Sequence, residues 1–329
     1  MGHHLTDSYG RAIDYLRISV TDRCNLRCVY CLPPSGIRPK AQAEILTYEE
    51  ILQVVEAAAG LGISKIRLTG GEPLVRAGLS DLVASLSAIP GVAEVSLTTN
   101  GLLLERYAPA LAQAGLRRVN VSLDTLRAER FKRITGFDQF SKVWRGIKAA
   151  ETVGLTPLKL NVVMLRGVND DEAMDFARLT IVHDWHIRFI ELMPIGTCQD
   201  SRAFYTQRHI STFELLHQFP ALEPAGPVTG NGPARYYRLP DGRGTIGFIT
   251  PISNHFCHEC NRLRLTAKGT LRPCLFAEKE LDLRDLLRKG ATLSQLQKVI
   301  AEAVQAKPAG HRLDEGLAIV DRAMSEIGG

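Results

Sequence analysis

Three cysteines stand close together near the start of the chain, in the stretch TDRCNLRCVYC over residues 21–31. Cys24, Cys28 and Cys31 have the spacing C-x3-C-x2-C, with no fourth cysteine nearby. A closed zinc site takes four protein ligands, usually from C-x2-C pairs. A [4Fe–4S] cluster has four irons, so three thiolates leave one iron able to bind another molecule. The spacing therefore predicts an iron–sulfur cluster with an open coordination position.

A second cysteine set occurs in HFCHECNRLRLTAKGTLRPC, with the spacing C-x2-C-x13-C. Three thiolates again leave one iron of a four-iron cluster open. A Cys3His zinc site that uses His255 or His258 remains an alternative. The members of the second set are Cys257, Cys260 and Cys274.

The seventh cysteine, Cys198, stands alone in a loop-like stretch, and we predict no special role for it.

Arginines stand next to the second set, in the run Arg262-Leu263-Arg264-Leu265. The alternation places two guanidinium groups on one face of a predicted strand, close in sequence to a metal site. The chain has neither a G-x-x-x-x-G-K-[ST] loop nor a G-x-G-x-x-G motif. A bound nucleotide would therefore be held by side chains, and arginine suits this task because its planar group can bind phosphate oxygens bidentately.

The elements that must position these residues alternate along the first two thirds of the chain. Short runs rich in β-branched residues are separated by helical patterns, and one helix begins at Thr47 with Glu50 three residues later, a capping box. Such alternation predicts parallel strands with right-handed connections. Six units are fewer than the eight of a closed barrel, so we predict a partial (β/α)6 TIM-like barrel with an open side. The predicted strands are 14–20, 65–69, 94–99, 117–123, 158–164 and 186–192, and the further predicted helices are 78–89, 103–115, 139–154 and 170–183.

Polar residues alternate with apolar ones on several of these strands, as in Arg17 and Ser19 against Leu16 and Ile18. Helices cover the outside of such a barrel, so the polar residues should point inward. The turn GGEP (70–73) follows a strand at the end where barrel enzymes build their sites, and its glycines allow close approach to the backbone. We predict a polar interior that gathers cations around an anionic ligand. The inward cations are Arg17, Lys65, Arg67, Lys159 and Arg188.

The sequence changes in character after Cys198. Residues 223–244 are rich in proline and glycine, and two strand-like pieces, GTIGFIT and RLRLTAKGTLRPCLF, follow. Residues 280–327 look mostly helical. We therefore predict two domains, a barrel over 1–222 and a smaller α+β segment over 223–329 that closes the open side of the barrel.

Composition excludes several classes of protein. The 329 residues are 45% hydrophobic and 23% charged, with a formal net charge of +5. No apolar run approaches the ~18 residues of a membrane span, and no signal peptide is recognisable. We predict a cytoplasmic protein with reduced cysteines and without membrane or nucleic-acid partners.

The spacing of the first cysteine set, with Tyr30 before the third cysteine, is a strong signal for a radical S-adenosylmethionine (SAM) enzyme. Together with KIRLTGGEP, LTTNGLLL, GLRRVNVSLD, IRFIELMPIG, CNRLRL and a terminal Gly-Gly, it closely resembles the GTP 3′,8-cyclase family of molybdenum cofactor biosynthesis over essentially the whole chain. The resemblance implies a partial (β/α)6 barrel with a SAM-binding [4Fe–4S] cluster and a C-terminal segment with a second, substrate-binding [4Fe–4S] cluster.

The resemblance also implies roles for individual residues. Cys24, Cys28 and Cys31 would hold the SAM cluster, and Cys257, Cys260 and Cys274 the second cluster. The positions that match the family's SAM contacts are Tyr30, Gly71, Ser122 and Met193. Those that match its GTP contacts are Arg17, Arg67, Thr98, Lys159, Arg262, Leu263 and Arg264. Further contributors would be Lys65, Arg188 and the terminal Gly328 and Gly329, which would enter the active site.

The implied reaction begins with one electron from a flavodoxin- or ferredoxin-type reductant. SAM yields a 5′-deoxyadenosyl radical that abstracts the 3′ hydrogen of GTP, and the sugar radical attacks C8 of guanine. The product, (8S)-3′,8-cyclo-7,8-dihydroguanosine 5′-triphosphate, would pass to cyclic pyranopterin monophosphate synthase. A homodimer is also possible for this family.

Two other interpretations remain open at this stage. A radical SAM enzyme that modifies peptides would also carry an auxiliary cluster, but typically with more C-terminal cysteines than these three. A zinc-stabilised nucleic-acid-binding protein would use the Arg262 and Arg264 strand, and it predicts zinc in place of iron. The modest net charge and the six-unit barrel disfavour this second alternative.

Overall fold

A computed structural model describes residues 5–33, 35–195, 201–219, 221–226, 228–229, 232–277, 279–311, 313 and 323–327. In this part of the chain, strands and helices alternate up to β6 as predicted. The strands are β1 (Tyr15–Ser19), β2 (Lys65–Thr69), β3 (Glu94–Thr99), β4 (Arg118–Ser122), β5 (Lys159–Met164), β6 (His186–Glu191), β7 (Glu223–Pro224), β8 (Arg235–Arg238), β9 (Thr245–Ile249), β10 (Arg262–Leu265), β11 (Thr270–Arg272) and β12 (Leu281–Asp282). The helices are α1 (Tyr48–Gly60), α2 (Leu79–Ser87), α3 (Leu104–Gln113), α4 (Ala128–Thr135), α5 (Phe140–Thr152), α6 (Ala173–Val182), α7 (Ser201–Arg208), α8 (Thr212–Leu216), α9 (Arg284–Arg288) and α10 (Leu293–Gln305).

The strands form one sheet of twelve, in the order β12-β11-β10-β1-β2-β3-β4-β5-β6-β9-β8-β7. Strands β1 to β6 are parallel neighbours in sequence order, which confirms the predicted six-unit partial barrel. Within the described residues, hydrogen bonds do not close the sheet into a ring.

The C-terminal segment joins this sheet at both sides. Strand β10 pairs in parallel with β1, and β9 pairs in parallel with β6. Short antiparallel additions, β11 and β12 on one side and β8 and β7 on the other, continue the sheet. The sequence did not predict this arrangement, because the pairing joins segments that lie far apart along the chain.

Helix α1 shows how local sequence determines these elements. The Thr47 hydroxyl accepts a hydrogen bond from the Glu50 amide, and the Glu50 carboxylate accepts one from the Thr47 amide at 2.7 Å. This capping box, predicted from the sequence, is worth about 1 kcal/mol. Helix α4, in contrast, was not predicted as a separate element.

The two faces of each barrel strand differ in chemistry. On β1, Leu16 and Ile18 are buried in the apolar core, while Arg17 points to the other side. On β2, Ile66 and Leu68 are likewise buried in the apolar core, while Arg67 points to the other side. The apolar face packs against the helices, so the predicted polar interior is present and holds buried cations. In the described part of the chain, no helix is long and apolar enough to cross a membrane.

Candidate active site

Two adjoining cavities occupy the interior of the barrel. The first cavity is lined by Cys24, Cys28 and Cys31, and the second cavity by Cys257, Cys260 and Cys274. The side chains that line both cavities are Arg17, Thr98, Asn161, Ile190, Met193 and Met324. Molecules bound in the two cavities would therefore lie side by side.

The first cavity gathers the carboxyl ends of several strands. Gly70, Gly71 and Glu72 follow β2 there, and Asp124 follows β4. All four residues predicted to contact SAM line this cavity, namely Tyr30, Gly71, Ser122 and Met193.

The two glycines of GGEP are required by the cysteine loop. A Cβ atom on Gly71 would lie 2.3 Å from the Arg23 carbonyl oxygen, and one on Gly70 would lie 2.6 Å from the Thr21 carbonyl oxygen. The Gly71 amide donates to the Thr21 carbonyl at 2.7 Å. The glycines are therefore needed because the backbone of the cysteine loop packs directly against the turn after β2. The sequence had instead predicted that a ligand approaches the backbone of this turn.

Glu72 connects this turn to the neighbouring strand. Its carboxylate accepts hydrogen bonds from the Thr99 hydroxyl at 2.6 Å, the Asn100 amide at 2.7 Å and the Leu74 amide at 3.1 Å. Burial raises the pKa of Glu72 to about 7, and these donors limit the rise. Glu72 thereby fixes the ends of β2 and β3 beside the first cavity.

Tyr30 is held in place by a buried carboxylate. Its hydroxyl donates to Asp124 at 2.6 Å, and the other oxygen of Asp124 accepts from the Val163 amide at 2.8 Å. Burial raises the pKa of Asp124 to about 6. The ring of Tyr30 is therefore fixed against the wall of the first cavity.

The second cavity is strongly cationic. Five arginines line it, together with Lys307, and none of its described lining residues is an aspartate or a glutamate. Burial and then the neighbouring Arg264 lower the pKa of Arg17 well below its usual value. Burial also lowers the pKa of Arg188 and of Arg264 to about 10. The arginines are Arg17, Arg67, Arg188, Arg262 and Arg264.

Several of these groups have unsatisfied atoms in the described structure. The Nε atoms of Arg17, Arg67 and Arg188 are buried and have no hydrogen-bond partner there, and neither does the Oδ1 atom of Asn161. Buried donors without acceptors are costly, and like charges in one cavity repel each other. An anionic ligand with several oxygen atoms would accept hydrogen bonds from these three Nε donors and would offset the repulsion between the arginines.

Burial and neighbouring charges shift the pKa values of the thiols in both cysteine sets. Burial, then Asp124, then Cys31 and Cys24 raise the pKa of Cys28 well above its usual value. Burial opposes ionisation of Cys260, but the nearby Lys307 lowers the pKa of this thiol below its usual value.

Each cysteine set lines one of the two cavities. In the described part of the chain, no group of three histidine, cysteine, aspartate or glutamate side chains is placed to hold a metal ion. Three thiolates are the ligand number that leaves one iron of a four-iron cluster open.

Three predicted GTP-site residues do not line either cavity. Lys159 is buried, and its Nζ atom donates to the Thr229 carbonyl at 2.7 Å. Lys65 forms an ion pair with Asp14 at 2.7 Å. The Leu263 side chain is buried in the apolar core, since alternation along β10 turns it away from the face of Arg262 and Arg264. Gly328, Gly329 and Cys198 lie outside the described residues.

The two histidines considered as zinc ligands are placed differently. The His258 side chain is 68% exposed, lies 3.4 Å from the Glu259 carboxylate and does not line the second cavity. His255 does line it, and its ring packs against that of His311 with centroids 5.0 Å apart.

Sequence reasoning missed several residues of the site. Tyr15 lines the second cavity and shares the inward face of β1 with Arg17, so strand alternation could have found it. Lys307, Met324 and Ser325 come from the C-terminal region, where no periodic pattern indicates their positions.

Comparison with known proteins gives matches over the whole chain. The radical SAM superfamily profile matches residues 18–180, and the Molybdenum Cofactor Synthesis C profile matches residues 185–313. The two profiles meet between α6 and β6, whereas the boundary at 222 remains a prediction.

Several curated relatives cover this chain almost completely. Proteins named GTP 3′,8-cyclase from Moorella thermoacetica and Pelotomaculum thermopropionicum are each 53% identical to it, over 325 and 329 residues respectively. One from Desulforamulus reducens is 51% identical over 329 residues. Each alignment covers 99% of this chain and 100% of the relative.

A solved structure shows the same fold. It is that of SuiB from Streptococcus suis bound to S-adenosylmethionine, with a TM-score of 0.58 and 14% sequence identity. The match covers 88% of this chain and 68% of SuiB. At this identity the likeness concerns the fold alone.

Proposed function

Because the chain belongs to the GTP 3′,8-cyclases of the radical SAM superfamily, we propose that its first cavity binds SAM and its second cavity binds GTP. Cys24, Cys28 and Cys31 hold one [4Fe–4S] cluster in this assignment. Cys257, Cys260 and Cys274 hold the other. The observation that carries the assignment is the presence of two adjoining cavities, each lined by one complete cysteine set.

The SAM cluster, when bound, supplies the 5′-deoxyadenosyl radical that starts the cyclisation of GTP. The residues of the first cavity orient SAM: Tyr30, fixed by Asp124, offers a ring face, and the turn after β2 offers backbone. Met193 lies on the wall that both cavities share, which supports close contact between SAM and the sugar of GTP.

The second cavity suits GTP because of its charge. A triphosphate presents several anionic oxygens to guanidinium groups that have buried, unpaired Nε atoms. The base would then lie towards the second cysteine set, beside His255 and Phe256. Arg17 and Thr98 line both cavities, so they are placed to orient the ribose between the two cofactor sites.

The deciding experiment is anaerobic reconstitution followed by incubation with GTP, SAM and dithionite. We expect about eight irons per chain, since two four-iron clusters are assigned, and formation of 5′-deoxyadenosine that depends on GTP. Zinc in place of iron would support the nucleic-acid-binding alternative. Cleavage of SAM that is indifferent to GTP but responds to a peptide would support the peptide-modifying alternative.

Lys159 gives a pH-dependent prediction for GTP binding. Burial, then Arg188 and the other nearby arginines lower the pKa of Lys159 to about 6. Its carbonyl partner Thr229 is three residues before Gly232, which lines the second cavity. Near pH 7.5 the free protein therefore holds Lys159 largely neutral, and a bound triphosphate should raise its pKa and draw in a proton. We expect GTP affinity to fall as pH rises above about 6.

Calorimetry in buffers of different protonation enthalpy measures this uptake. Since GTP itself titrates, the quantity of interest is the difference between the wild type and Lys159→Met, in which this proton uptake should be lost. Lys159→Arg, which stays charged, should bind GTP without it. Equal uptake in the wild type and in Lys159→Met would contradict the assignment.

The family also implies a reductant, a downstream enzyme and a cellular compartment. The radical chemistry of the family begins with one electron, and we propose a flavodoxin- or ferredoxin-type reductant as its source. Transfer of the product to cyclic pyranopterin monophosphate synthase, and a homodimer, stay predictions. Two sets of thiols kept for clusters favour a reducing compartment such as the cytoplasm. Entry of Gly328 and Gly329 into the site is supported by Met324 and Ser325, which line the first cavity.

A further inference from the structure

A lysine far from the cysteines in sequence lies against the second cysteine set. Lys307, just after α10, is only 3% exposed and lines the second cavity. Its ammonium group donates to the Cys260 thiol at 3.5 Å, to the Arg262 carbonyl at 2.9 Å and to the Pro273 carbonyl at 2.8 Å. An ammonium group has three donors, so each of them has a partner here.

These contacts connect the two segments that carry the set. Arg262 is two residues after Cys260, and Pro273 immediately precedes Cys274. A single ammonium group therefore joins the C-x2-C segment to the segment of the third cysteine.

The charge of Lys307 has no carboxylate partner. Lys307 is absent from the ion pairs of the described residues, and no aspartate or glutamate is among the described residues lining its cavity. A buried charge that is unpaired is costly. Among the described residues, the Cys260 thiol is the group that becomes anionic and that Lys307 contacts, so the lysine is matched to the negative charge of a thiolate-bound cluster.

A second layer of contacts fixes the chain around Lys307. Arg11 donates to the Pro308 carbonyl at 2.7 Å, to the Ala309 carbonyl at 3.1 Å and to the Cys257 carbonyl at 2.6 Å. Arg11 is itself paired with the buried Asp7 at 2.5 Å. The N-terminal segment thus holds residues 308 and 309 against Cys257, the first cysteine of the same set.

We propose that Lys307 is a positioning residue that raises the reduction potential of the second cluster by donating a charged hydrogen bond to Cys260. The inference rests on the proposed function, because it requires Cys257, Cys260 and Cys274 to hold that cluster. Hydrogen bonds to the sulfur ligands and nearby positive charge set the potential of iron–sulfur clusters. Reduction adds negative charge, so a fixed cation beside one thiolate stabilises the reduced state more than the oxidised state.

The test is an EPR-monitored redox titration of the reconstituted full-length protein. Lys307→Gln removes the charge but keeps two N–H donors for the carbonyl groups. We expect the reduction equilibrium of the second cluster to become about tenfold less favourable, a negative shift of about 59 mV for one electron. Lys307→Arg keeps the charge and should give a smaller shift. A comparison with Cys24→Ala identifies which signal belongs to which cluster.

Controls separate this effect from loss of structure. Lys298→Met changes an exposed lysine on α10 and should move neither potential. The potential of the first cluster should be unchanged in every Lys307 variant. An unchanged second potential in Lys307→Gln, or an equal shift in Lys307→Arg, would overturn the proposal. Absence of a second cluster from the wild-type protein would instead overturn the proposed function.

If Lys307→Gln assembles too little of the second cluster for a redox titration, the iron content of the variants tests the proposal instead. Retention of about four irons with loss of the second four in Lys307→Gln, restored in Lys307→Arg, would support the charged hydrogen bond to Cys260 on which the proposal rests. Loss in both variants would show that Lys307 serves only the packing of this region, and the proposal would fail.

Discussion

Cys28→Ala is expected to lower the iron content from about eight to about four per chain and to abolish 5′-deoxyadenosine formation. Cys274→Ala should also remove about four irons, but for a different reason, because this cysteine lines the second cavity. It should keep SAM binding and a low rate of SAM cleavage while losing the response to GTP and the cyclised product.

The two variants therefore separate the cavities. Iron analysis, SAM affinity and product analysis by mass spectrometry measure the difference. Cys198→Ala is the matched control, and we expect it to keep all the iron and full turnover, since the sequence gives this residue no special role. The assignment of the two sets would be wrong if Cys28→Ala kept all its iron or if Cys274→Ala weakened SAM binding more than GTP binding.

Arg17→Met is expected to weaken GTP binding by at least about 30-fold while it makes the ligand-free protein no less stable. A buried charge that loses its hydrogen-bonded partner costs about 2–5 kcal/mol of binding free energy. In the ligand-free protein, Arg17 is buried close to Arg264 and the other arginines, and burial with this repulsion lowers its pKa. Since no carboxylate is among the described residues of this cavity, Arg17→Met removes a costly buried charge and leaves no described anionic partner unpaired.

Weaker GTP binding without a loss of stability would indicate that the charge of Arg17 serves to bind the ligand. Calorimetry with GTP and denaturant unfolding of the ligand-free protein measure them. Arg145→Met is the control, since Arg145 forms an exposed ion pair with Glu105 at 2.9 Å, and both quantities should stay nearly constant. A large loss of stability in Arg17→Met, with GTP affinity unchanged, would show that Arg17 has a structural role.

Much of the site could be predicted because its residues follow local patterns. The two cysteine sets are short motifs, and strand alternation correctly separates Arg17 and Arg67 from their apolar neighbours. The same rule explains Leu263, which the resemblance included with its two neighbours although alternation turns its side chain into the core.

The rest depends on contacts between distant parts of the chain. Lys307 and Cys260 are separated by 47 residues, and Lys159 and Thr229 by 70. Lys65 has the periodicity of an inward residue, but Asp14 is close enough to bind its ammonium group. No single-sequence pattern reports such pairings, because they arise from the packing of loops.

The pairing of β10 with β1 and of β9 with β6 has a consequence for how the protein is made. Tyr15 on β1 pairs with Arg262 on β10, so the outer edge of β1 stays unpaired until most of the chain has been synthesised. Until then, both outer strands of the six-strand sheet have unpaired backbone groups, which favour association with other chains. Contacts of such long range also slow folding. A fragment that ends at residue 222 should therefore aggregate, and the two cysteine sets should receive their iron only after translation is nearly complete.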